Sequence, residues 1–286
     1  MTILELSDVC YTYDKGTPQA NAALSHIHLK IEQGSMTGLI GHTGCGKSTL
    51  LRMFNGLQKP DSGKILLAGE DIWAKPKEIA KVRFRVGLVM QYPEYQLFDE
   101  TVRADIAYGP KNMGLSPEEV AVRVAEAASF AGIPEELLDK SPFELSGGQK
   151  RRVAIAGVMA MQPEVLVLDE PAAGLDPKGR EDIFAGLARY RRESGATVIV
   201  VSHSMEDMAR YCDRLVVMND GEIYMDGTQE EVFGEAEKLM QIGLGVPEIT
   251  RVVAKLRAAG LPLSAQIYTV EKAKEAILAL LGGDRV

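Results

Sequence analysis

The stretch from Gly41 to Thr49 constrains the fold of this chain more than any other part of the sequence. It reads Gly-His-Thr-Gly-Cys-Gly-Lys-Ser-Thr, which matches the pattern G-x-x-x-x-G-K-[ST]. Residues 35–40 before it predict a short strand, and residues 47–55 after it predict a helix that stops near Gly56. A strand that enters a glycine loop and then a helix N-terminus favours an α/β fold and forms a binding site for phosphate.

Each residue type in this loop suits the binding of a phosphate or a metal ion for a different physical reason. Gly41, Gly44 and Gly46 can adopt positive φ angles that turn successive N–H groups into one concavity. Lys47 supplies a point charge for β- and γ-phosphates, and the Ser48 hydroxyl is a hard oxygen ligand suited to Mg²⁺. The alternative is a plain glycine turn, which requires strand, spacing, lysine and hydroxyl to coincide by accident. The loop residues that we expect to contact a nucleoside triphosphate are Gly41, His42, Thr43, Gly44, Cys45, Gly46, Lys47, Ser48 and Thr49.

Composition excludes several other classes of protein. The chain has 286 residues, of which 46% are hydrophobic and 25% charged, as in ordinary globular domains. No apolar run approaches the roughly 18 residues of a membrane helix, and a secretory signal is not expected. Three cysteines without C-x-x-C spacing favour a reduced, cytoplasmic setting. A net charge of −8 disfavours a broad nucleic-acid footprint, so we expect no nucleic-acid partner.

The rest of the chain alternates predicted strands and helices. Residues 3–9 alternate apolar and polar side chains and suggest an edge strand, and residues 24–31 suggest a second strand. Residues 95–160 are mostly helical in pattern and predict a helical subdomain inserted into the α/β core. After about Gly234 the pattern changes to short amphipathic helices. In one of them Ile249, Val252, Val253 and Leu256 are expected to share a face.

Polar side chains lie where three apolar strands are predicted to finish. Asp169 and Glu170 close one strand, His203 follows another, and Gln91 is the last residue of a third. In an open parallel sheet the carboxyl ends of the strands meet at the ligand-binding edge, so the carboxylates of Asp169 and Glu170 are expected beside the phosphate loop. Asp169 and Glu170 are adjacent, and neighbours on a strand point to opposite faces, so we expect different roles for them.

A second glycine motif is Leu145-Ser-Gly-Gly-Gln149, placed ahead of a predicted helix. Two glycines at a helix N-terminus expose N–H groups and the positive end of the helix dipole, which suits an anion. Together with the loop and the Asp-Glu pair, this motif resembles the ATP-binding cassette (ABC) ATPase family over about residues 3–235. The resemblance implies a phosphate-loop α/β fold with a RecA-like core, an antiparallel β subdomain, the inserted helical subdomain and a small C-terminal helical extension. It divides the chain into an ATPase domain, residues 1–234, and an extension, residues 235–286, which helps to pair subunits.

The resemblance also implies a shared ATP site. In the family, each ATP lies between the phosphate loop of one chain and the Leu-Ser-Gly-Gly-Gln motif of the opposite chain. A second ABC ATPase subunit is therefore an expected partner, in a homodimer or a heterodimer. The signature residues expected to contact the partner's ATP are Ser146, Gly147, Gly148 and Gln149. Residues 174–176 resemble the loop that couples the two sites.

Further roles are implied for the strand-end residues. Asp169 resembles the residue that holds Mg²⁺ through water, and Glu170 resembles the general base that polarises the attacking water. His203 matches a switch histidine that contacts the γ-phosphate, and Gln91 resembles a glutamine that senses Mg²⁺ and the water. The metal ligands expected on this basis are Ser48, Gln91 and Asp169. The simpler alternatives are that Glu170 only caps the following turn, that His203 is a structural histidine, and that the Gln91 amide only bonds the backbone at the strand end.

The adenine contact is less well defined by the sequence than the phosphate contacts. Tyr13 is the preferred ring to stack on the base, with Tyr11 as the rival and a plain surface aromatic as the alternative. A preference for ATP over GTP rests on the family resemblance.

Several stretches narrow the resemblance to the ATPases of energy-coupling factor (ECF) transporters, which import vitamins or transition-metal ions, and most closely to the second of their two ATPase types. These stretches are residues 16–18, 91–98, 100–102, 153–157 and 245–250. The resemblance implies a peripheral protein at the cytoplasmic face of the cell membrane. It also implies a transmembrane coupling subunit and a substrate-binding membrane subunit as partners. Ala172 departs from the family, where Thr is common after Asp-Glu-Pro.

The residues after Gln91 have a mechanical interpretation. Tyr92, Tyr95, Leu97 and Phe98 are expected to offer an apolar docking surface to a coupling helix of the membrane partner, or else to pack the core of their own subdomain. The competing functions are the ATPase of another ABC transporter, a soluble ABC ATPase of DNA maintenance, a ribosome-associated factor and a regulator without turnover. The DNA-maintenance type usually carries a long insertion and the ribosomal type two cassettes, whereas this chain shows neither. The transported substrate is not specified by the sequence.

Overall fold

The computed structural model describes residues 1–282. In that part of the chain the strands are β1 (Thr2–Tyr13), β2 (Asn21–Glu32), β3 (Met36–Ile40), β4 (Ser62–Leu67), β5 (Glu70–Asp71), β6 (Val86–Val89), β7 (Val165–Asp169), β8 (Thr197–Val201), β9 (Arg214–Asn219) and β10 (Glu222–Thr228). The α-helices are α1 (Lys47–Phe54), α2 (Ile79–Arg85), α3 (Val102–Asn112), α4 (Pro117–Ala131), α5 (Gly147–Met159), α6 (Pro177–Ser194), α7 (Met205–Tyr211), α8 (Gln229–Gly234), α9 (Ala236–Gln241), α10 (Glu248–Ala258) and α11 (Val270–Gly282).

The strands form two sheets. The first is antiparallel and has the order β2-β1-β4-β5. The second has the order β10-β9-β3-β8-β7-β6, with parallel pairing throughout except for the antiparallel hairpin of β9 and β10. The prediction of an edge strand over residues 3–9 is wrong, because β1 pairs with both β2 and β4. An alternation of apolar and polar residues indicates only that one face of a strand is exposed, and it does not indicate how many strands pair with it.

Helix α1 is enclosed between the two sheets. Its apolar residues join one core cluster with side chains from β1, β2 and β4 on one side and from β7, β8 and β9 on the other. Leu50 and Phe54 are almost completely buried in that cluster. Side chains from the opposite face of the larger sheet form a second, larger core cluster together with helices α3 to α7. The phosphate loop is therefore anchored at the junction of two cores.

The helical subdomain is formed by α3, α4 and α5, which pack against one another. Ser116 begins α4 with a capping box, in which its side chain accepts from the Glu119 amide and Glu119 accepts from the Ser116 amide. This confirms the helix start that the sequence predicts. Helix α3 contains Pro110 in its last turn, where the proline removes one backbone donor.

The C-terminal region packs in two ways. Leu239 and Leu244 join the larger core cluster, whereas Val253 belongs to a small cluster between α10 and α11. Val252 is 47% exposed, so of the predicted apolar face only Ile249, Val253 and Leu256 pack in that cluster. Residues 283–286 of the extension lie outside the described residues, and its boundary at 234/235 stays a prediction. Within residues 1–282, no helix combines the length and apolarity needed to cross a membrane.

Candidate functional site

The glycine loop connects β3 to α1, as the sequence predicts. Lys47 is the first residue of the helix and is 9% exposed. Its ammonium donates to the carbonyl oxygens of Gly41 (2.6 Å) and His42 (2.9 Å), so it is held inside the curve of the loop. The His42 ring in turn lies with Nε2 3.1 Å from the Asn219 carboxamide oxygen at the end of β9. These contacts fix a positive charge at the helix N-terminus, where an anion gains most.

The glycines of the loop are needed for two different reasons. Gly44 has φ of 86° with open space around it, so only its backbone conformation demands glycine. Gly41 is needed because of close approach, since a Cβ there would lie 2.5 Å from both the Cys45 sulfur and the Met218 carbonyl oxygen. Gly46 precedes α1 with φ of 102° and provides no side-chain cap. The first amides of the helix are therefore open to a ligand instead of being capped internally.

Ser48 and Asp169 meet across the loop. The Ser48 hydroxyl donates to an Asp169 carboxylate oxygen at 3.0 Å. A hydroxyl and a carboxylate, with the Gln91 amide beside the same cavity, form the all-oxygen donor set that Mg²⁺ prefers. The residues present therefore fit a magnesium ion bound together with a triphosphate.

Glu170 has the most unusual environment at the site. Its φ is 53°, so it leaves the extended conformation directly after β7, and its amide donates to the Val201 carbonyl. The side chain is almost buried, and within residues 1–282 its Oε1 makes no hydrogen bond, although His203 Nε2 lies 3.4 Å away. Burial raises the pKa of the Glu170 carboxyl, and the neighbouring His203 opposes that rise.

The left-handed backbone at Glu170 also corrects one expectation. Asp169 and Glu170 do not point away from each other as two extended neighbours would, because both line the same cavity. A positive φ at a residue other than glycine and a buried carboxylate oxygen without a hydrogen-bond partner both cost free energy, and such features are concentrated at functional sites.

Gln91 and His203 complete the edge of the sheet. His203 comes two residues after β8, and Gln91 comes two residues after β6. The prediction that Gln91 ends its strand is wrong by these two residues, since β6 ends at Val89. Both side chains are exposed, so a ligand in the cavity can reach them. Because β3, β8, β7 and β6 are adjacent and parallel, their carboxyl ends bring the loop, His203, the Asp-Glu pair and Gln91 together.

These residues surround a cavity of about 370 Å³. Its lining consists of Tyr13, Asn21, Ala23, Thr43, Gly44, Gly46, Lys47, Ser48, Thr49, Gln91, Asp169, Glu170, Val201 and His203. Gly41, His42 and Cys45 are not part of this lining, and they instead support the loop from behind. Asn21 and Ala23 were missed by the sequence analysis, since β2 gives no sign that its first residues face the loop.

Tyr13 lies at the mouth of this cavity and Tyr11 lies behind it. The Tyr13 hydroxyl is 3.0 Å from the Thr49 hydroxyl, and its ring meets the Tyr11 ring edge to face at 4.8 Å between centroids. Tyr11 packs against the core cluster beneath the sheet. Of the two tyrosines, Tyr13 is the one that reaches the phosphate loop.

The second glycine motif is not part of the cavity. None of the residues Ser146, Gly147, Gly148 and Gln149 lines it. Ser146 caps α5 by accepting from the Gln149 amide, while the Gln149 side chain accepts from the Ser146 amide. Ser146 and Gly147 are exposed. The amides of Gly147 and Gly148 therefore face outward, where a group from outside the chain can reach them.

One buried contact that the sequence analysis missed joins the separate segments. Arg151 on α5 forms an ion pair with Glu94, in which Nη2 lies 2.7 Å from Oε1. The same guanidinium donates to the Ala173 carbonyl, which follows Glu170 by three residues. No pattern of polarity marks this arginine, since charged residues are usually exposed, and only its place two residues after Gln149 was available as a signal.

A glycine loop at the end of a parallel strand, with carboxylates on the neighbouring strand ends, defines a phosphate-loop nucleotide triphosphatase. Comparison with known proteins is more specific. The ABC transporter family matches residues 24–173. The energy-coupling factor transporter ATP-binding protein EcfA2 of Caldanaerobacter subterraneus subsp. tengcongensis is 52% identical over 99% of both chains. The protein of the same name from Clostridium perfringens is 51% identical over 97% of this chain and 98% of its own.

Solved structures agree with these relatives. The structure of cbiO1 from Clostridium perfringens, described as part of the ABC transporter complex cbiONQ, aligns with a TM-score of 0.76 and 41% identity, over 88% of this chain and 99% of that one. The dimeric ATP-binding cassette MJ0796 in a post-hydrolysis state with ADP and Pi aligns with a TM-score of 0.71 and 30% identity, over 79% of this chain and 98% of that one.

The chain therefore belongs to the ABC transporter family and, within it, to the energy-coupling factor transporter ATP-binding proteins. As a member of this family it is an ATP-hydrolysing transport ATPase. The sequence predictions of fold class and activity are confirmed.

Proposed function

We propose that this chain is a peripheral ATPase at the cytoplasmic face of the cell membrane, where it powers an ECF importer of vitamins or transition-metal ions. The observation that carries the proposal is the meeting of Lys47, Glu170, His203 and Gln91 around one cavity in a chain that is 52% identical to an EcfA2 protein. The other candidate functions have no comparable support. The transported substrate would be selected by the membrane subunits.

Hydrolysis requires a base that can accept a proton from the attacking water. Glu170 is the candidate, because it lines the cavity and its buried Oε1 has no hydrogen-bond partner within residues 1–282. Its raised pKa makes it a better proton acceptor than an ordinary carboxylate. The exposed His203 ring beside it is placed to contact the γ-phosphate and to hold the base in position.

Mg²⁺ is proposed as the cofactor of ATP. Ser48, Asp169 and Gln91 would hold it, with Asp169 acting through water. When bound, the ion would neutralise charge on the β- and γ-phosphates. The Lys47 ammonium adds a positive charge from this chain beside the phosphates, and the open amides at the start of α1 would bind phosphate oxygens.

The outward signature implies that this site is completed by another cassette. Gly147 and Gly148 present their amides away from the chain's own cavity, so they are placed to meet a nucleotide held by a second ABC ATPase subunit. We propose a dimer with two shared ATP sites. Either a second copy or a related ATPase subunit satisfies this geometry.

The surface next to Gln91 suits a membrane partner. A groove of about 410 Å³ lies between the segment after Gln91 and helices α3 and α5. Its lining is mainly apolar, with Phe84, Leu97, Phe98, Tyr108, Val153, Val158 and Met161 among the residues that form it. Tyr95 and Phe98 are 85% and 60% exposed, whereas Leu97 packs partly against the core. We therefore propose the exposed aromatic residues Tyr95 and Phe98 as the docking contacts, while Leu97 both lines the groove and packs partly against the core.

The groove is connected to the ATP site by rigid contacts. Glu94 is fixed to α5 by Arg151, and the amides of Phe98 and Asp99 donate to the buried Asp105 carboxylate on α3. A movement of Gln91 on ATP binding would therefore move the segment after it together with the helical subdomain. We propose that this subdomain holds a coupling helix of the transmembrane subunit, which works with a substrate-binding membrane subunit.

Co-purification from membranes tests this function. Tagged chain isolated from detergent-solubilised membranes should bring along two kinds of integral membrane protein, identified by mass spectrometry, and the complex should hydrolyse ATP. The Lys47→Ala variant should retain these partners and lose hydrolysis. Recovery of the chain with ribosomes or DNA, and with no membrane protein, would contradict the proposal.

A further inference from the structure

A group of metal-ligating side chains lies on the antiparallel sheet, outside the cavity already described. The sequence Asp8-Val-Cys10 is on β1 and the sequence His26-Ile-His28 is on the neighbouring β2. Alternation along a strand places Asp8 with Cys10, and His26 with His28, on one face. Two of the four histidines in the chain and one of its three cysteines therefore meet on one small surface.

The buried residues between them fix which face this is. Val9 and Ile27 are Cα partners across the two strands, and both are 0% exposed in the core beneath the sheet. The ligand-type side chains must then point outward. Asp8 and His26 are exposed and Cys10 is half-buried, so an ion from solvent can reach all three.

Two irregular positions bring these side chains closer than a regular ladder would. Asp8 has φ of 54° and His26 has φ of 49°, and the register of β1 against β2 shifts on both sides of Val9. Such bulges re-aim side chains. As a result, one potential ligand atom each from Asp8, Cys10 and His26 lies within 4.8 Å of the others. His28 Nε2 lies 3.7 Å from the same Asp8 oxygen, in reach of a fourth position.

The surroundings of the sulfur favour a thiolate ligand. The backbone amide of His26 donates to the Cys10 sulfur at 3.2 Å, which stabilises negative charge there. The Asp8 carboxylate lies 2.6 Å from His26 Nδ1, so the carboxylate and imidazole are already turned toward each other. Sulfur, imidazole and carboxylate together suit Zn²⁺ or a similar borderline divalent ion, whereas Mg²⁺ and Ca²⁺ prefer sites built only from oxygen.

We propose that Asp8, Cys10 and His26, with His28 as the fourth ligand, form a binding site for a transition-metal ion of the Zn²⁺ type. The ion would clamp β1 to β2 directly before Tyr11, in the strand that carries Tyr13 to the ATP cavity. This proposal does not depend on the transported substrate or on the membrane partners.

Zn²⁺ titration of the full chain tests the site. In nucleotide-free buffer with excess Mg²⁺, calorimetry of the wild-type chain should show one Zn²⁺ bound at this site. The variants Cys10→Ser and His26→Gln should each weaken that binding by about tenfold or more. Glu32→Gln, which changes an exposed carboxylate on the same strand as His26, is the matched control and should bind as the wild type does.

Co²⁺ gives an independent readout. The wild-type chain loaded with Co²⁺ should show a sulfur-to-metal absorption band that Cys10→Ser lacks. ATP binding and circular dichroism should be unchanged in the metal-free variants, which establishes that they fold. Absence of Zn²⁺ binding by the wild-type chain, or full retention of it by both Cys10→Ser and His26→Gln, would overturn the proposal.

Discussion

Arg151 and Glu94 form a two-pronged ion pair that is largely removed from water. Nη2 lies 2.7 Å from one carboxylate oxygen and Nε lies 3.0 Å from the other, and the two side chains are 5% and 16% exposed. Glu94 follows Gln91 by three residues, and Arg151 follows the signature motif by two. The third nitrogen of the guanidinium donates to the Ala173 carbonyl. One side chain thus joins the glutamine segment, the signature helix and the loop after Glu170.

Removal of this arginine should be costly. Arg151→Ala leaves the Glu94 carboxylate partly buried without its partner, so we expect a loss of about 2–4 kcal/mol in the free energy of unfolding. Urea denaturation measures this loss. Arg103→Ala is the matched control, because Arg103 pairs with Asp139 on an exposed surface and the loss of that pair should destabilise the fold much less. Equal losses for the two variants would contradict the account.

The pH dependence of hydrolysis should report Glu170. Burial raises the pKa of this carboxyl, and the carboxylate is the form that accepts a proton. The rate of hydrolysis should therefore rise with pH, and the midpoint of this rise should lie above pH 4.5, the ordinary pKa of glutamate. Glu170→Gln should lower kcat by about 10²–10⁴-fold and abolish this acid limb.

Glu164→Gln provides the control for that profile. Glu164 directly precedes β7, at the opposite end of the strand, and pairs with Arg85 on the surface. This variant should keep both the rate and the pH profile. An acid limb at or below pH 4.5 in the wild-type enzyme would show that Glu170 is not the titrating base.

Tyr13 should contribute to nucleotide affinity through its ring. Tyr13→Ala should weaken ATP binding by about tenfold, since aromatic stacking on a base contributes roughly 1–3 kcal/mol. Tyr13→Phe removes only the hydroxyl contact with Thr49 and should have a small effect. Fluorescence titration with a labelled ATP analogue measures both. If Tyr13→Ala binds normally while Tyr11→Ala does not, Tyr11 is the stacking residue.

Tyr95 should act in coupling and not in hydrolysis. It is 85% exposed beside the apolar groove and lies outside the ATP cavity. Tyr95→Glu places a charge on the proposed docking surface, so substrate uptake by reconstituted vesicles should fall while basal ATP hydrolysis by the two-cassette complex is retained. Tyr224→Glu, on exposed strand β10, is the control. Equal uptake by the Tyr95→Glu and wild-type complexes would contradict the proposed docking surface.

Local sequence signals were enough for the phosphate loop and its helix. The glycine spacing and the capping residue Ser116 act through the backbone within a few residues, so the pattern alone predicts them. The end position of an apolar strand likewise placed Asp169 at the edge of the sheet beside the phosphate loop, whereas the placement of His203 depended on the family resemblance.

Features that depend on distant partners were not predictable in the same way. The central position of β1 depends on its pairing with β4, which begins about fifty residues later in the chain. The conformation of Glu170 departs from the extended form that its strand predicts, and it is this departure that turns both carboxylates into one cavity. The ion pair of Arg151 and Glu94 is a tertiary contact between residues 57 positions apart in the sequence. The sequence alone does not indicate that a single charged residue is buried.

The central claim is that the ATP site of this chain is completed by the signature of another cassette. ATP-dependent association tests it most directly, with Glu170→Gln used to prevent turnover and the second cassette being either a further copy or the ATPase subunit that co-purifies. Sedimentation velocity should show that ATP assembles a two-cassette complex. Replacing the signature serine by arginine in both cassettes, which is Ser146→Arg in this chain, should abolish assembly while each isolated chain still binds ATP. Assembly that persists with Ser146→Arg present would contradict the shared site.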